Sequence, residues 1–405
     1  MTGRSSFFSR AFWLDRSCTI TRIAFVSTYP PRQCGIAAFT GELGRVTPDR
    51  EIVALHPVEP IPPYAFEVHH RIRRDERSDY PRTARSLEHC ADVVSIQWDP
   101  AIWGGDDGDA VLDFVRVLKL PAVVTLHDLP RTPTPRQREI LVELLDSVAS
   151  AVVLSNAASS LLTEAYDVDP FRVEVIPYGI PDLPIMSAET IKASVGLDGR
   201  AVLLSFGLLD PGKGYERVID ALPAIVAEYP NTTYVIVGAT HPDVIRREGE
   251  AYRTSLKARA DALRMGAHVR FVPEFVGRVE LTRWLHATDV FVTPNPDLET
   301  MVSGPLTYAM AAGRAIVSTR YPYAVELLAD GRGLLVASGP AAIAAGVLRL
   351  LANDKLRTTI GARAHEHSRQ MAWTRVGAEY QRLFTRVANA PPPADRADSQ
   401  VGAQV

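Results

Sequence analysis

The sequence has only three cysteines in 405 residues, Cys18, Cys34 and Cys90. Thiols this few and this scattered exclude a disulfide framework and a cysteine-rich zinc site, and they fit a reducing compartment. No stretch approaches the ~20 consecutive apolar residues of a membrane span. Charged residues interrupt the opening MTGRSSFFSRAFWLDRSC before an apolar signal-peptide core can form. We therefore expect a cytoplasmic protein and leave open peripheral contact with the inner face of the membrane.

A strong net charge is also absent. The formal charge is -3, with 44 basic and 47 acidic side chains. Such a balance provides no overall field that would attract nucleic acid, so no nucleic-acid partner is expected, and any site for a polyanion must be local.

What is present is a regular alternation of short aliphatic runs and amphipathic stretches of helical length. Hydrophobic residues make up 46% of the chain and charged residues 22%, as in ordinary globular proteins. The alternation predicts an α/β fold with parallel strands, some of them apolar on both faces. Helices are predicted at 108–119 and 136–149. The predicted strands are 21–27, 51–56, 92–97, 122–127, 151–155, 173–177, 201–207, 232–238, 268–273, 289–294, 315–319 and 333–336.

The stretch at 178–200 collects Pro, Gly and polar residues and divides the pattern into two units of similar size. Their facing strand ends predict a cleft between two Rossmann-like domains. The predicted division is an N-terminal extension at 1–19, a first domain at 20–180, a linker at 181–200, a second domain at 201–370, a helix at 371–389 that returns to the first domain, and a disordered tail at 390–405.

The loop after the strand at 201–207 contains Lys213 between two glycines and precedes an amphipathic helix. An ammonium group beside a helix N-terminus can bind a phosphate together with backbone amides. The spacing is not that of a Walker loop, and a solvated turn is the simpler alternative.

A second candidate lies after the strand at 289–294. Glu299 falls on the following loop, and Ser303-Gly304-Pro305 predicts a helix start with Ser303 as cap. A carboxylate and a helix N-terminus at the carboxyl end of a parallel strand favour a site for a polar ligand. The alternative is that Glu299 is an exposed loop acid.

Several motifs in this order resemble retaining glycosyltransferases of family 4, which have the GT-B fold, over about residues 20–388. The most specific are STYPPRQCGIAAFT at 27–40, FGLLDPGKG at 206–214, VGATHPDV at 237–244, ETMVSGPLTYAMAAG at 299–313 and ELLADGRGLLV at 326–336.

The resemblance implies roles for individual residues. Lys213, with Gly214 beside it, matches the family lysine that contacts the donor diphosphate, and Glu299 matches the first acid of the E-x7-E motif, which contacts the donor sugar. Gly35 matches the glycine of the first strand-helix loop, and His127 matches a histidine at the sugar end of the cleft. Ser303 and Gly304 would offer helix N-terminal amides to the phosphates.

Two positions depart from the family pattern. Thr307 stands where the second acid of E-x7-E contacts ribose, and Leu208 stands where many relatives have an arginine for the diphosphate. Arg32 and Arg320 are candidates for the missing cation, and both could equally be surface arginines.

Other candidate residues have simpler interpretations beside the functional ones. Trp98 and Asp99 follow the strand at 92–97 and could line the acceptor side, although ordinary packing explains Trp98 equally well. Asp107-Gly108-Asp109 imitates a D-x-D metal motif, but helix capping explains it more simply. His69 and His70 lie beside a run of mixed charges, and a solvated or acceptor-facing loop is a simpler interpretation of this stretch than a metal site. No metal and no cofactor are expected.

The sequence thus predicts a hexosyltransferase that uses a GDP- or UDP-hexose as co-substrate. The favoured sugars are mannose and glucose, on family grounds, and the acceptor is a carbohydrate or a lipid-linked molecule. A GT-B-like phosphorylase, a nucleotide-sugar epimerase and a non-catalytic glycan-binding or scaffold homologue remain alternatives. A dehydrogenase is weaker, since no G-x-G-x-x-G follows the first strand. The oligomeric state is not predicted.

Overall fold

The computed structural model describes residues 21–56, 63–296 and 299–390. The predicted N-terminal extension lies outside these residues, as does the predicted tail apart from Ala390. Within them, no helix is both long enough and apolar enough to cross a lipid bilayer.

The first half of the chain forms a seven-stranded parallel sheet in the order β3-β2-β1-β4-β5-β6-β7. Its strands are β1 Ile23–Ser27, β2 Arg50–His56, β3 Val68–Arg73, β4 Val93–Trp98, β5 Ala122–Leu126, β6 Ser150–Val153 and β7 Val173–Val175. Its helices are α1 Gly35–Arg45, α2 Asp79–Leu87, α3 Ala110–Val115, α4 Pro135–Ser147 and α5 Asn156–Tyr166. The central strands are buried along their whole length because helices cover both faces of the sheet.

The second half forms a six-stranded parallel sheet in the order β10-β9-β8-β11-β12-β13. Its strands are β8 Ala201–Phe206, β9 Thr232–Val237, β10 Val269–Val272, β11 Val290–Thr293, β12 Ala315–Thr319 and β13 Leu334–Val336. The helices, beginning with the one before β8, are α6 Ala188–Lys192, α7 Tyr215–Glu228, α8 Pro242–Glu248, α9 Ala251–Ala262, α10 Arg278–His286, α11 Gly304–Ala311, α12 Pro322–Leu327, α13 Pro340–Leu351, α14 Asp354–Ser368 and α15 Trp373–Ala388.

The last helix, α15, packs on the first sheet. Val376, Tyr380 and Phe384 are buried in one cluster with Ile23 and Phe25 of β1. The Tyr380 hydroxyl lies 3.1 Å from Thr125 Oγ1 of β5. The chain therefore passes between the two halves twice, once before the second sheet and once after it.

These two crossings lie side by side. Ile180 forms an isolated parallel bridge with Ala372. The Ile180 N–H donates to the Met371 carbonyl at 2.9 Å, and the Trp373 N–H donates to the Ile180 carbonyl at 3.0 Å. The two connections between the halves are thus hydrogen-bonded to each other.

The structure confirms the predicted α/β class and the two parallel sheets, and all twelve predicted strands correspond to observed strands. The prediction of a loop around His69 and His70 is wrong, because both residues belong to β3 at the edge of the first sheet. The capping predicted for Asp109 is also not formed through its side chain, which instead forms ion pairs with Arg77 and Arg136. The predicted helix at 108–119 is shorter than expected and becomes α3.

Candidate functional site

A cleft of about 830 Å³ opens between the carboxyl ends of the two sheets. The first half contributes the loop after β1 and one side of α1, with Pro30, Gly35 and Glu42. The second half contributes the loops after β8, β9, β10 and β11. Both parallel sheets therefore direct the ends where polar ligands bind into the same space.

Lys213 lies in a short helical turn, Pro211–Lys213, that follows β8 and lines the cleft. The Asp210 carboxylate fixes this turn by accepting the Gly212 N–H at 2.7 Å. Gly214 then takes a left-handed conformation, with φ of 71°, and a Cβ there would lie 2.5 Å from the Pro294 carbonyl oxygen. Glycine is thus needed for the chain to turn into α7 this close to the loop after β11.

Ser303 and Gly304 also line the cleft, at the start of α11. The Ser303 side chain accepts the Leu306 N–H, and Pro305 occupies the first turn, as the sequence predicts. A Cβ on Gly304 would lie 3.1 Å from the Tyr178 hydroxyl oxygen. The backbone of this helix start is therefore packed closely against an aromatic ring at the wall of the cleft.

Thr307, one turn further along α11, does not line the cleft. Its side chain is fully buried and its hydroxyl donates to the Gly304 carbonyl at 2.7 Å. The next residue, Tyr308, does line the cleft, and burial raises its pKa to about 12. The position of the missing family acid thus faces the protein interior in this chain.

Glu299 lies at the contact between the halves. Its carboxylate accepts the backbone N–H of Arg131 at 2.9 Å, on the loop that follows β5. The same loop begins at His127, so the structure brings the regions of these two predicted residues together. Neither residue lines the 830 Å³ cleft.

His127 is a buried, neutral imidazole. Burial lowers its pKa to about 3. Its Nε2 lies 2.8 Å from Gln97 Oε1, which can only accept, so the ring donates this hydrogen bond. The ring edge also packs against Phe39, with centroids 5.0 Å apart. These contacts fit a fixed hydrogen-bonding group rather than one that exchanges protons near neutral pH.

Trp98 and Asp99 differ in accessibility. Trp98 is buried in the core cluster of the first half, which also includes Met301 of the second half. Asp99 is partly exposed and accepts the Ala101 N–H at 2.8 Å. The pKa of Asp99 is raised to about 6, mainly by burial and also by the nearby carboxylates of Asp128 and Asp243. Asp243 belongs to α8, so Asp99 faces the second half.

Sequence reasoning missed a set of charged groups in the cleft. Arg278 at the start of α10 pairs with Glu42 of α1 across the cleft at 3.5 Å, and Arg45 pairs with the same carboxylate. His241 lines the cleft beside Lys213, and burial lowers its pKa. The sequence offers little indication of this group, because Arg278 follows a loop without a distinctive motif.

Of the two arginines considered for the diphosphate, Arg320 lies away from this cleft. It lines a separate pocket of about 470 Å³ at the contact between the halves, with Arg131 and Glu326. Arg32 lies between the cleft-lining residues Pro30 and Gly35. No cluster of three or more His, Cys, Asp or Glu side chains suited to a metal ion occurs among the residues that the structure describes.

The family model described as "Glycosyl transferases group 1" matches residues 187–367. A phosphatidyl-myo-inositol mannosyltransferase of Mycobacterium tuberculosis is 28% identical over 284 residues, covering 67% of this chain and 68% of that protein. A D-inositol 3-phosphate glycosyltransferase of Nocardioides is 28% identical over 289 residues, covering 66% of this chain and 62% of that protein.

Solved structures share the same architecture. Anabaena Alr3699/HepE in complex with UDP superposes with a TM-score of 0.74 at 15% identity, covering 90% of this chain and 99% of that chain. Sucrose-phosphate synthase of Thermosynechococcus elongatus gives a TM-score of 0.73 at 16% identity, covering 91% and 99%. The fold is GT-B, as predicted, and together with the matched family model the sequence relatives show that the chain is a glycosyltransferase.

Proposed function

We propose that this GT-B glycosyltransferase is a retaining enzyme of family 4 that transfers a hexose from a nucleotide sugar to a carbohydrate or lipid-linked acceptor. One observation carries the proposal: Gly35 from one half and Lys213, Ser303 and Gly304 from the other line a single cleft. These are the positions that the family resemblance relates to the donor.

The donor that we propose is GDP-mannose or UDP-glucose. Support for mannose comes from the relatives named mannosyltransferases, and support for a uridine nucleotide comes from the neighbour solved with UDP. A relative named for phosphatidyl-myo-inositol supports a lipid-linked acceptor, which a cytoplasmic enzyme would reach by peripheral contact with the membrane.

The chemistry follows from the charge that develops as the bond to the donor breaks. Negative charge collects on the leaving diphosphate while the sugar gains oxocarbenium character. The Lys213 ammonium and the amides at the start of α11 would stabilise the diphosphate. Leu208 is uncharged, so the second cation would be Arg278, which also lines the cleft and pairs with Glu42.

Retention would arise by attack from the face that the leaving group occupies, with the departing phosphate helping to remove the acceptor proton. No enzymatic nucleophile is assigned. The family resemblance relates Glu299 and His127 to the donor sugar. Neither side chain lines the cleft, so their contact with the sugar would require a rearrangement at the loop after β5. The His127 imidazole, which is neutral, would not protonate the sugar.

The test is turnover of a nucleotide-sugar panel by wild type, Lys213→Ala and the matched control Lys355→Ala, an exposed lysine on α14. Loss of one preorganised donor to the leaving group raises the barrier by about 3 kcal/mol, so kcat should fall about 100-fold in Lys213→Ala only. Equal activity in all three proteins would contradict the assignment.

The same panel separates the alternative functions. Sugar release that depends on inorganic phosphate would identify a phosphorylase, and an epimerised donor formed without acceptor would identify an epimerase. Nucleotide binding by calorimetry without turnover on a broad acceptor panel would identify a non-catalytic homologue.

A further inference from the structure

Four polar side chains with unused hydrogen-bonding capacity gather beside the cleft, in the first half of the molecule. Arg32 follows β1, His56 ends β2, Tyr64 precedes β3 and Arg71 lies on β3. Strands β1, β2 and β3 are parallel neighbours, so their carboxyl ends lie at the same edge of the sheet. Arg32 is also placed within three residues of both Pro30 and Gly35, which line the donor cleft.

These side chains contact one another. The rings of His56 and Tyr64 meet edge to face, with centroids 5.8 Å apart. The Arg71 guanidinium carbon lies 5.3 Å from the centre of the Tyr64 ring. Burial lowers the pKa of His56 and raises the pKa of Tyr64. The charges of Arg32 and Arg71 lower both pKa values, so both guanidinium groups are near these rings.

Three buried polar atoms of this group have no hydrogen-bond partner among the described residues: Arg32 Nη1, His56 Nδ1 and the Tyr64 hydroxyl. Tyr64 is only 8% exposed, so water reaches it poorly. A buried polar atom without a partner is unfavourable by about 1 to 3 kcal/mol, and such atoms are uncommon in folded proteins. Their concentration at one place therefore indicates a ligand that completes them.

The chemistry of the missing partner follows from the charges. Within the part of the chain that the structure describes, neither Arg32 nor Arg71 forms an ion pair, whereas Arg50 and Arg73 nearby do. The charge of Arg32 lowers the pKa of Asp99, but the two side chains form no ion pair. A guanidinium donates hydrogen bonds and cannot accept them, so the partner must present acceptor atoms.

We propose that Arg32, His56, Tyr64 and Arg71 form a subsite for an oxyanion, a phosphate or carboxylate group, on the acceptor. Guanidinium groups bind such planar or tetrahedral oxyanions through paired N–H donors. This inference rests on the proposed transferase function for its biological meaning. Binding of the anion itself does not require turnover, so it can be tested separately.

The test measures binding with the donor site filled by whichever of GDP and UDP raises the melting temperature of the protein. Inorganic phosphate, mannose 6-phosphate and neutral mannose are then titrated by calorimetry into wild type, Arg32→Gln and Arg71→Gln. Arg85→Gln is the matched control, because Arg85 is exposed on α2 in the same half. Phosphate and mannose 6-phosphate should bind about tenfold or more weakly in both subsite variants and unchanged in the control.

A second arm distinguishes a soluble acceptor from a lipid headgroup. Vesicles of phosphatidylglycerol and of phosphatidylcholine are sedimented with the same four proteins. Retention on the anionic vesicles that both subsite variants lose supports the subsite and identifies a lipid source. Binding of the sugar phosphate alone, lost in the same two variants, supports the subsite and identifies a soluble source.

Three results would overturn the inference. The first is the absence of binding by every anionic probe, and the second is equal binding by wild type and both subsite variants. The third is weaker nucleotide binding in Arg32→Gln with unchanged binding of the anionic probes, which would assign Arg32 to the donor diphosphate. Failure of the proposed function looks different: no sugar is transferred from any donor, whether or not the anion binds.

Discussion

Asp99 holds its carboxyl group in surroundings that disfavour the charged form. Burial raises its pKa from 3.8 to about 6, and the neighbouring carboxylates of Asp128 and Asp243 act in the same direction. Because the pKa is higher in the folded than in the unfolded state, the contribution of Asp99 to folding stability is greatest below pH 4. That contribution is lost as the pH rises through about 6.

Replacing this residue by asparagine should therefore stabilise the protein at neutral pH. Asp99→Asn keeps an oxygen that can accept the Ala101 N–H and removes the ionisation penalty, worth roughly 1 to 3 kcal/mol. The melting temperature should be higher than that of wild type at pH 7.5, and the difference should disappear near pH 4. A melting temperature that is lower at pH 7.5 would contradict the assigned environment.

At the scale of single residues, the sequence identifies candidate site residues well, but it predicts the orientation of their side chains poorly. Lys213, Ser303 and Gly304 reach the predicted cleft because turn and cap chemistry fixes where they lie. Thr307 and His127 do not line it, because both side chains face the interior and bond to Gly304 and Gln97. Which side of a helix or strand end faces the ligand depends on tertiary packing, and one sequence does not show it.

Among the elements, α15 depends on an unusually close contact. A Cβ on Gly377 would lie 2.5 Å from Val46 Cγ2, at the point where α15 passes the end of α1. Glycine is normally less favourable than alanine inside a helix by up to about 1 kcal/mol. Here the absence of a side chain allows the helix to approach the first half of the molecule.

The contact predicts that Gly377→Ala lowers the melting temperature in spite of the better helix propensity of alanine. Adding Val46→Ala to it should restore at least half of the loss, because the two side chains compete for the same space. Val46→Ala alone is the control. If Gly377→Ala is as stable as wild type, the close packing of α15 is not as described.

Among the strands in the described residues, sequence reasoning missed only β3, which shows what limits prediction at the level of elements. Its sequence VHHRIR alternates, with Val68 and Ile72 buried and His69 and Arg71 towards solvent. It lies at the edge of the sheet, where one side of the strand is unpaired and charged side chains are common. The charge run around it therefore resembled a loop, whereas the central strands, buried on both faces, were recognised from their continuous apolar runs.

For the whole molecule, Glu326 joins the two halves. Its carboxylate accepts hydrogen bonds from the Asn156 backbone N–H at 3.0 Å, the Asn156 side chain at 2.7 Å and the Ala157 N–H at 3.0 Å. These donors are at the start of α5, where a negative charge is also favoured by the helix dipole. A residue of the second half thus caps a helix of the first.

Removing this carboxylate should loosen the contact between the halves. Glu326→Ala leaves helix N–H groups without their partner, and we expect a decrease of about 1 to 3 kcal/mol in the free energy of unfolding. Thermal unfolding and the radius of gyration from solution scattering measure the two consequences, a lower melting temperature and a larger particle. Glu366→Ala, an exposed acid on α14, is the control, and identical behaviour of the two variants would argue against the contact.

The paired connections at Ile180 and Ala372 restrict how the halves can move. Two halves joined by one connection can rotate about it in any direction, whereas two connections hydrogen-bonded side by side favour rotation about one hinge axis. Rotation about this hinge would break contacts such as those of Glu326 and keep the Ile180–Ala372 bridge. Sliding or twisting of the halves would break the Glu326 contacts and the bridge. The arrangement therefore favours rotation of the halves about this paired connection when the cleft widens or narrows.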